Sequence, residues 1–171
     1  NYHSHVYADI PVGGKCRMNQ MIEAGTLLAE IPHIDPHQLA EARDEASRRG
    51  VPVIAFLEET YGFEPDQVLA ELGGLLRMPV LTMERLRAFS PAFDILSFNE
   101  AVAEECALFR SGEAYILAVA NPFAPNLRAW AEDRIDIPTA WHLVHPADLA
   151  AFFTQQEQTM RAMDSVLPAA A

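Results

Sequence analysis

Residues 105–123, ECALFRSGEAYILAVANPF, decide the fold of this chain. Two apolar runs, residues 106–109 and 114–120, flank a polar turn at Gly112, and this pattern is typical of an antiparallel β-hairpin. The second run stops before Pro122, because proline cannot donate to a strand ladder. The stretch holds neither a nucleophile paired with a base nor a loop that could hold a phosphate. It therefore predicts a sheet element of a small accessory domain.

Length and composition limit the class of protein. The chain has 171 residues, of which 50% are hydrophobic, and this is enough for a core without disulfides or metal. We expect one domain or two small subdomains packed together. Cys16 and Cys106 are too few for a disulfide framework, so we expect reduced thiols in a cytoplasmic protein. No apolar run approaches the roughly 20 residues of a membrane span. Because the chain starts with Asn1, we expect it to be part of a longer protein.

The charge balance limits the partners. The chain carries 12 Lys and Arg against 24 Asp and Glu, so its formal net charge is −12. Such a surface repels nucleic-acid backbones and anionic lipids, which argues against both as direct partners. An acidic surface usually serves solubility, but it would also suit a protein partner with a basic patch.

The first half of the chain predicts helices. Residues 1–16 have the composition of a linker or arm, and residues 17–78 are expected to form a helical subdomain with two diverged helical repeats. Asp35-Pro36 is a strong helix start, and Gly50 is suited to end that helix. Glu64-Pro65 starts a second helix, which should end near Arg77.

The second half predicts a mixed structure. We expect a small α/β subdomain over residues 79–160, built from a short strand near Val80, the hairpin, a helix over 126–133 and a strand over 140–144. A last helix should start at Pro146 and end near Gln158, and residues 161–171 are expected to be a linker. The predicted fold class is α+β, with the N-terminal helical subdomain followed by the α/β layer subdomain.

Several strings resemble the N-terminal domain of type II secretion and type IV pilus assembly ATPases, the cyclic-di-GMP-binding type. They are HIDPHQLAEA at 33–42, residues 50–63 and 65–76, MPV at 78–80 and AVANP at 118–122. The resemblance covers about residues 20–160. The ATPase core is not part of it, because the sequence lacks a P-loop, and Gly14-Lys15-Cys16 has no hydroxyl residue that would hold magnesium.

The departures from that family concern its ligand. Members that bind cyclic di-GMP open each repeat with an arginine-leucine-glycine triplet, whose arginine can stack on guanine and pair with phosphate. The second repeat here opens near Pro52 without arginine or glycine, which argues against nucleotide binding. The first repeat aligns in two ways, with residues 17–19 or 23–25 at the triplet. If cyclic di-GMP binds, the resemblance assigns Arg17, Gly25 and Gly62 to its site.

Catalytic and metal sites are not predicted. The histidines lack a cysteine or carboxylate at zinc spacing, so we expect no metal and no cofactor. Cys106 follows two acids, which would raise rather than lower the pKa of its thiol. We expect no catalytic residue. Phe123, beside the Asn-Pro corner, is a candidate anchor for a docking partner if its ring is exposed.

Three hypotheses for function remain open. The first is a non-catalytic accessory domain of a secretion or pilus assembly ATPase-like protein; the resemblance implies that it docks to a protein at the inner membrane. The second places the same domain behind a membrane-bound family 2 glycosyltransferase. The third is a cyclic di-GMP sensor. In the first two, the domain would be cytoplasmic and held at the inner membrane through its partner or a fused segment.

Overall fold

The structure, a computed structural model, describes residues 33–166, which fall within one compact unit. The predicted arm at residues 1–16 and the positions of Arg17 and Gly25 lie outside the described residues. In chain order the elements are α1 (Pro36–Arg49), α2 (Val53–Tyr61), α3 (Pro65–Leu76), β1 (Val80–Leu81), α4 (Met83–Ala88), β2 (Ser90–Pro91), α5 (Phe98–Ala103), β3 (Cys106–Ser111), β4 (Ala114–Val119), α6 (Leu127–Arg134), β5 (Thr139–Val144) and α7 (Pro146–Val166).

Local chemistry sets the bounds of the first helices. The Gln38 backbone N–H donates to Asp35 Oδ1 at 2.8 Å, and the Asp35 N–H donates to Gln38 Oε1 at 3.1 Å, which is a capping box. Gly50 ends α1 with φ +66°, a conformation that glycine adopts without strain. The start of α1 at Pro36 and its end before Gly50 confirm the predicted bounds of this helix, and α3 likewise starts at Pro65 and ends before Arg77.

The helices α1, α2 and α3 share one buried cluster. It includes Ala46, Leu57 and Leu72, and it also takes in Leu143 of β5. At the contact between α3 and β1, the backbone of Gly73 packs closely on Met78 and Val80. The helical part of the chain therefore buries its apolar face partly against the sheet.

The sheet has five strands in the order β1-β5-β4-β3-β2. The predicted hairpin is confirmed: β3 and β4 are antiparallel around Gly112, with Leu108 opposite Leu117. β5 is parallel to β4 on one side and to β1 on the other, so α6 serves as the crossover between β4 and β5. The β3–β4 hairpin thus lies in the middle of a mixed sheet.

Helices cover both faces of the hairpin. On one face, Phe109 and Ile116 pack under α4 and α7, and the Phe109 and Phe152 rings lie 5.1 Å apart. On the other face, Leu108 and Leu117 pack under α5 and α6. A strand buried on both faces reads as a continuous apolar run, which explains the apolar composition of residues 106–109 and 114–120.

The fold class is α+β, as predicted. The short elements α4 and β2 were not predicted, although Thr82 accepts the Arg85 N–H at 3.4 Å as an N-cap. The prediction that the last helix ends near Gln158 was wrong, because α7 continues to Val166. The first residues of the predicted 161–171 linker are therefore helical. The division between subdomains at residues 78 and 79 stays a prediction.

The end of α7 stands apart from the core. Its buried residues are Leu149 and Phe152, and residues 157–166 are exposed. Ala, Gln, Met and Arg are good helix formers, which lets the helix continue without tertiary contacts. Within residues 33–166, no helix combines the length and apolar character that crossing a bilayer requires.

Two adjacent glycines of α3 test the contact between this helix and β1. A Cβ on Gly73 would lie 2.9 Å from both the Met78 carbonyl oxygen and Val80 Cγ2, whereas a Cβ on Gly74 would meet nothing within 4 Å. We expect Gly73→Ala to lower the free energy of unfolding by about 1–3 kcal/mol. The control Gly74→Ala should raise it by about 0.5–1 kcal/mol through helix propensity. Urea unfolding measures both, and equal effects would contradict this packing.

Candidate functional site

The loop between β4 and α6 is held in shape by local contacts and by two prolines. Asn121 Oδ1 accepts the Phe123 backbone N–H at 3.3 Å, which forms a local turn. Pro122 and Pro125 restrict the backbone further, and Asn126 starts α6 from a left-handed conformation with φ +67°. The loop therefore holds its side chains in defined positions, with a cleft on each side.

The first cleft lies between this loop and α1. It has a volume of about 320 Å³ and is lined by Arg43, Ser47, Val51 and Phe123, among others. Arg43 Cζ lies 4.8 Å from the centroid of the Phe123 ring. Such a cation–π contact at an exposed site is worth about 0.5–1 kcal/mol.

Phe123 is less accessible than a docking anchor requires. Its ring is half-buried against the cluster of α1–α3 and is covered by Arg43. Its main contacts are therefore internal, and a partner could reach only the rim of the ring. The docking role of Phe123 stays a prediction.

The second cleft lies between α6, β5 and the end of α3. It has a volume of about 480 Å³, with Leu76, Met78 and Trp141 as apolar lining and Arg128 and Glu132 as charged lining. Arg128 Cζ lies 5.0 Å from the Trp141 ring centroid, and its Nη1 lies 3.4 Å from Glu132 Oε1. This cleft offers an apolar floor with a polar rim, which is the usual composition of an interaction surface.

A third cleft adjoins the second. Its volume is about 250 Å³, and it shares Arg128, Glu132 and Trp141 with the larger cleft while adding Thr139. Trp141 is half-buried and Arg128 is exposed over it, and tryptophan and arginine are among the residue types that most often dominate binding energy at interfaces. The α6–β5 groove, defined as the two clefts that share these three residues, is therefore the candidate functional site.

His145 joins the helical cluster to the start of α7. Its Nδ1 accepts the Ala147 backbone N–H at 3.0 Å, so the ring proton is on Nε2, which donates to Glu58 Oε1 at 2.6 Å. The two side chains are only 14% and 24% exposed. His145 thus caps α7 and links it to α2, which is a structural role.

The surroundings of Cys106 and Glu100 in the fold shift the pKa of each group. Burial raises the pKa of the Cys106 thiol to about 12, and the negative charge of Glu104 adds to the effect. The two hydrogen bonds from Arg134 are the main cause that lowers the pKa of Glu100 from 4.5 to about 2. Within residues 33–166, no group of three or more metal-binding side chains comes together.

The positions assigned to cyclic di-GMP are only partly within the described residues. Arg17 and Gly25 lie outside them. Gly62 ends α2 with φ +69°, and its N–H donates to the Glu58 carbonyl at 2.9 Å. Val53 and Ile54, where the second repeat opens, are buried. The backbone conformation of Gly62 is therefore explained by the helix end, and its ligand role stays a prediction.

Sequence reasoning missed the residues that define the groove. Arg128 and Trp141 are 13 positions apart in the chain (141 − 128), on a helix and a strand whose pairing only the fold reveals. An arginine on the exposed side of a predicted helix gives no local signal of its aromatic partner. The pattern of residues 126–133 did predict the helix itself, which the structure confirms.

Solved structures share this fold. No protein-family model matches the chain, and no curated protein matches it. A structure of MshE with cdg, that is cyclic di-GMP, is similar over 77% of this chain and 96% of that chain, with 20% identity and a TM-score of 0.54. The N-terminal domain of XpsE is similar over 84% of this chain and 98% of that chain, with 13% identity and a TM-score of 0.49. The fold expected from the family resemblance is confirmed by the likeness to MshE.

The Glu58–His145 contact gives a test of how the helical cluster is held. We expect Glu58→Ala to lower the free energy of unfolding by about 1–3 kcal/mol, because it leaves the His145 Nε2–H unpaired in a mostly buried place. The control Glu59→Ala changes an exposed neighbour and should stay within about 0.5 kcal/mol of wild type. Urea unfolding at neutral pH measures both. A Glu58→Ala protein as stable as the control would refute the contact.

Glu100 gives a pH-dependent test. Its pKa is lower in the folded chain, so its contribution to stability is present above pH 4.5 and is lost as the pH falls towards about 2. Glu100→Gln should therefore be less stable than wild type at neutral pH, with a difference that shrinks over this range. Glu113→Gln, at the exposed hairpin turn, is the control. A difference that is constant with pH would show that Arg134 does not hold the carboxylate.

Proposed function

We propose that this chain is a non-catalytic docking domain of a type II secretion or pilus assembly ATPase-like protein, and that it binds a protein partner at the inner membrane. The observation that carries the proposal is the fold shared with MshE over 96% of that chain. The sequence of this chain contains no P-loop, so the nucleotide chemistry of such a protein would lie elsewhere. The domain would act from the cytoplasmic side.

The surface of the domain supports docking rather than chemistry. The α6–β5 groove combines an apolar floor with Arg128 and Glu132 at its rim. The single described cysteine is buried and its thiol is held in the protonated form. A groove of this composition can exclude water around an inserted side chain, which is what a binding site for a protein requires.

Cyclic di-GMP sensing is the second candidate. It is supported by the ligand in the MshE structure. Against it stands the opening of the second repeat, where Pro52, Val53 and Ile54 replace the residues that would stack on guanine and pair with phosphate. We therefore rank it below docking.

Calorimetry with the full 171-residue chain separates the two functions. The gene around this chain is sequenced first, and the cytoplasmic segment of an inner-membrane protein encoded beside it is titrated into the chain. We expect binding in the micromolar range, typical of transient assemblies, and no heat from cyclic di-GMP at high micromolar concentration. Heat from cyclic di-GMP and none from the protein segment would overturn the proposal. Transmembrane segments encoded upstream would instead indicate the glycosyltransferase host.

A further inference from the structure

Strand β5 is paired unequally on its two sides. Along β4 it is paired from Thr139 to Leu143, but along β1 it is paired only at Leu143 and Val144. In the part of the chain that the structure describes, no strand lies beside residues 139–142 on the β1 side. Among residues 33–166, the first half of β5 is therefore unpaired on this side, and we call it the open edge.

The backbone groups at this edge have a known direction. The Leu143 N–H donates to the Pro79 carbonyl at 2.8 Å, so the polar groups of Leu143 point towards β1. Alternate residues of a strand point their N–H and C=O groups to the same side. The N–H and C=O groups of Thr139 and Trp141 therefore point to the β1 side, where no described strand pairs with them. Such a row is a template for one more strand.

The open edge borders the α6–β5 groove. Trp141 and Thr139 both line the groove, and Met78 and Leu76 lie across the larger cleft from the Trp141 ring. A strand added to β5 sends alternate side chains to this face of the sheet. Where the main chain of such a strand pairs with β5, one of its apolar side chains would contact Leu76, Met78 and Trp141.

Charge indicates which strand would fit. Glu132 lines both clefts, and Asp136 is exposed just before β5 begins. Among the residues that the structure describes, Glu132 and Arg128 pair with each other, whereas Asp136 takes part in no ion pair and supplies the uncompensated negative charge. Lysine or arginine on the added strand would meet this acidic end. A second copy of the chain would instead bring its own Asp136 and a net charge of −12.

We propose that the open edge of β5 at Thr139 and Trp141 binds an extended segment of a protein partner. The segment adds a strand to the sheet by main-chain hydrogen bonds, places a lysine or arginine near Asp136 and Glu132, and inserts an apolar side chain beside Trp141. This inference rests on the proposed docking function and names the surface and the kind of segment that docking would use.

The first test uses a synthetic peptide as the probe. A short peptide that alternates lysine with valine and leucine is titrated into the full chain labelled with nitrogen-15. We expect chemical-shift changes centred on β5, and slower hydrogen exchange at the Thr139 and Trp141 amides. The same peptide with N-methylated backbone amides should not bind, and a peptide with glutamate for lysine should bind at least tenfold more weakly. Equal binding of the glutamate peptide would overturn the proposal.

Matched variants test the charge and the main-chain pairing. Asp136→Lys should lower the affinity for the lysine peptide about fivefold, because the change removes one nearby charge pair and adds one repulsion. Asp164→Lys, the same change on the exposed end of α7, should leave the affinity unchanged. Thr139→Pro removes one outward N–H at the first residue of the strand, where proline is tolerated, and should abolish the protection of Trp141. Circular dichroism confirms that each variant is folded.

The same variants separate this inference from the docking function. If the inner-membrane segment binds wild type and binds Asp136→Lys and Thr139→Pro equally well, docking stands and the edge inference fails. If the lysine peptide binds at β5 while the membrane segment does not bind at all, the docking function fails in its proposed form. Concentration-dependent dimerisation that protects the same amides would overturn the inference in favour of a second copy.

Discussion

Burial of both faces of the β3–β4 hairpin is the constraint on which the rest of this structure depends. Leu108 and Leu117 face one layer of helices while Phe109 and Ile116 face the other, and all four side chains are buried. A strand pair of this kind is stable only if helices are available for both faces. α7 covers one face and α6 the other, and because α6 is the crossover from β4, β5 must lie parallel to β4. The parallel placement of β5 beside β4 follows from this requirement.

The position of β5 then determines where the candidate functional surface, the α6–β5 groove, lies. Leu143, near the C-terminal end of β5, also belongs to the buried cluster of α1–α3. Only this end of β5 pairs with β1. The first half of β5 lies beside α6, where the guanidinium of Arg128 packs on the Trp141 ring. The groove is therefore a consequence of how a short β1 and a longer β5 meet. Its residues come from elements that no local sequence pattern connects.

What the sequence predicted depends on the range of the interaction. The capping box at Asp35, the left-handed Gly50 and the hairpin at Gly112 are set by neighbours in the chain, and their pattern predicted them. The Glu58–His145 hydrogen bond joins residues 87 positions apart, and no composition or spacing signals it. The end of α7 was misjudged for a different reason. Its last turns lack a buried stripe, and they are supported past Gln158 by helix propensity and by the Glu157–Arg161 ion pair one turn apart.

The sheet edges show how the chain limits unwanted pairing. β1 and β2 are each two residues long, and Pro79, Pro91 and Pro138 lie in or directly before an edge segment. Proline removes a donor at each of these places, and short strands offer little to pair with. In β5, no proline follows Pro138, and the nearby acidic residues Glu132 and Asp136 take the place of proline in discouraging the pairing of acidic chains. Acidic flanks repel a second copy of an acidic chain but attract a basic segment. An edge flanked by acids rather than by proline would therefore favour a basic segment over a second copy of this acidic chain, as we propose for β5.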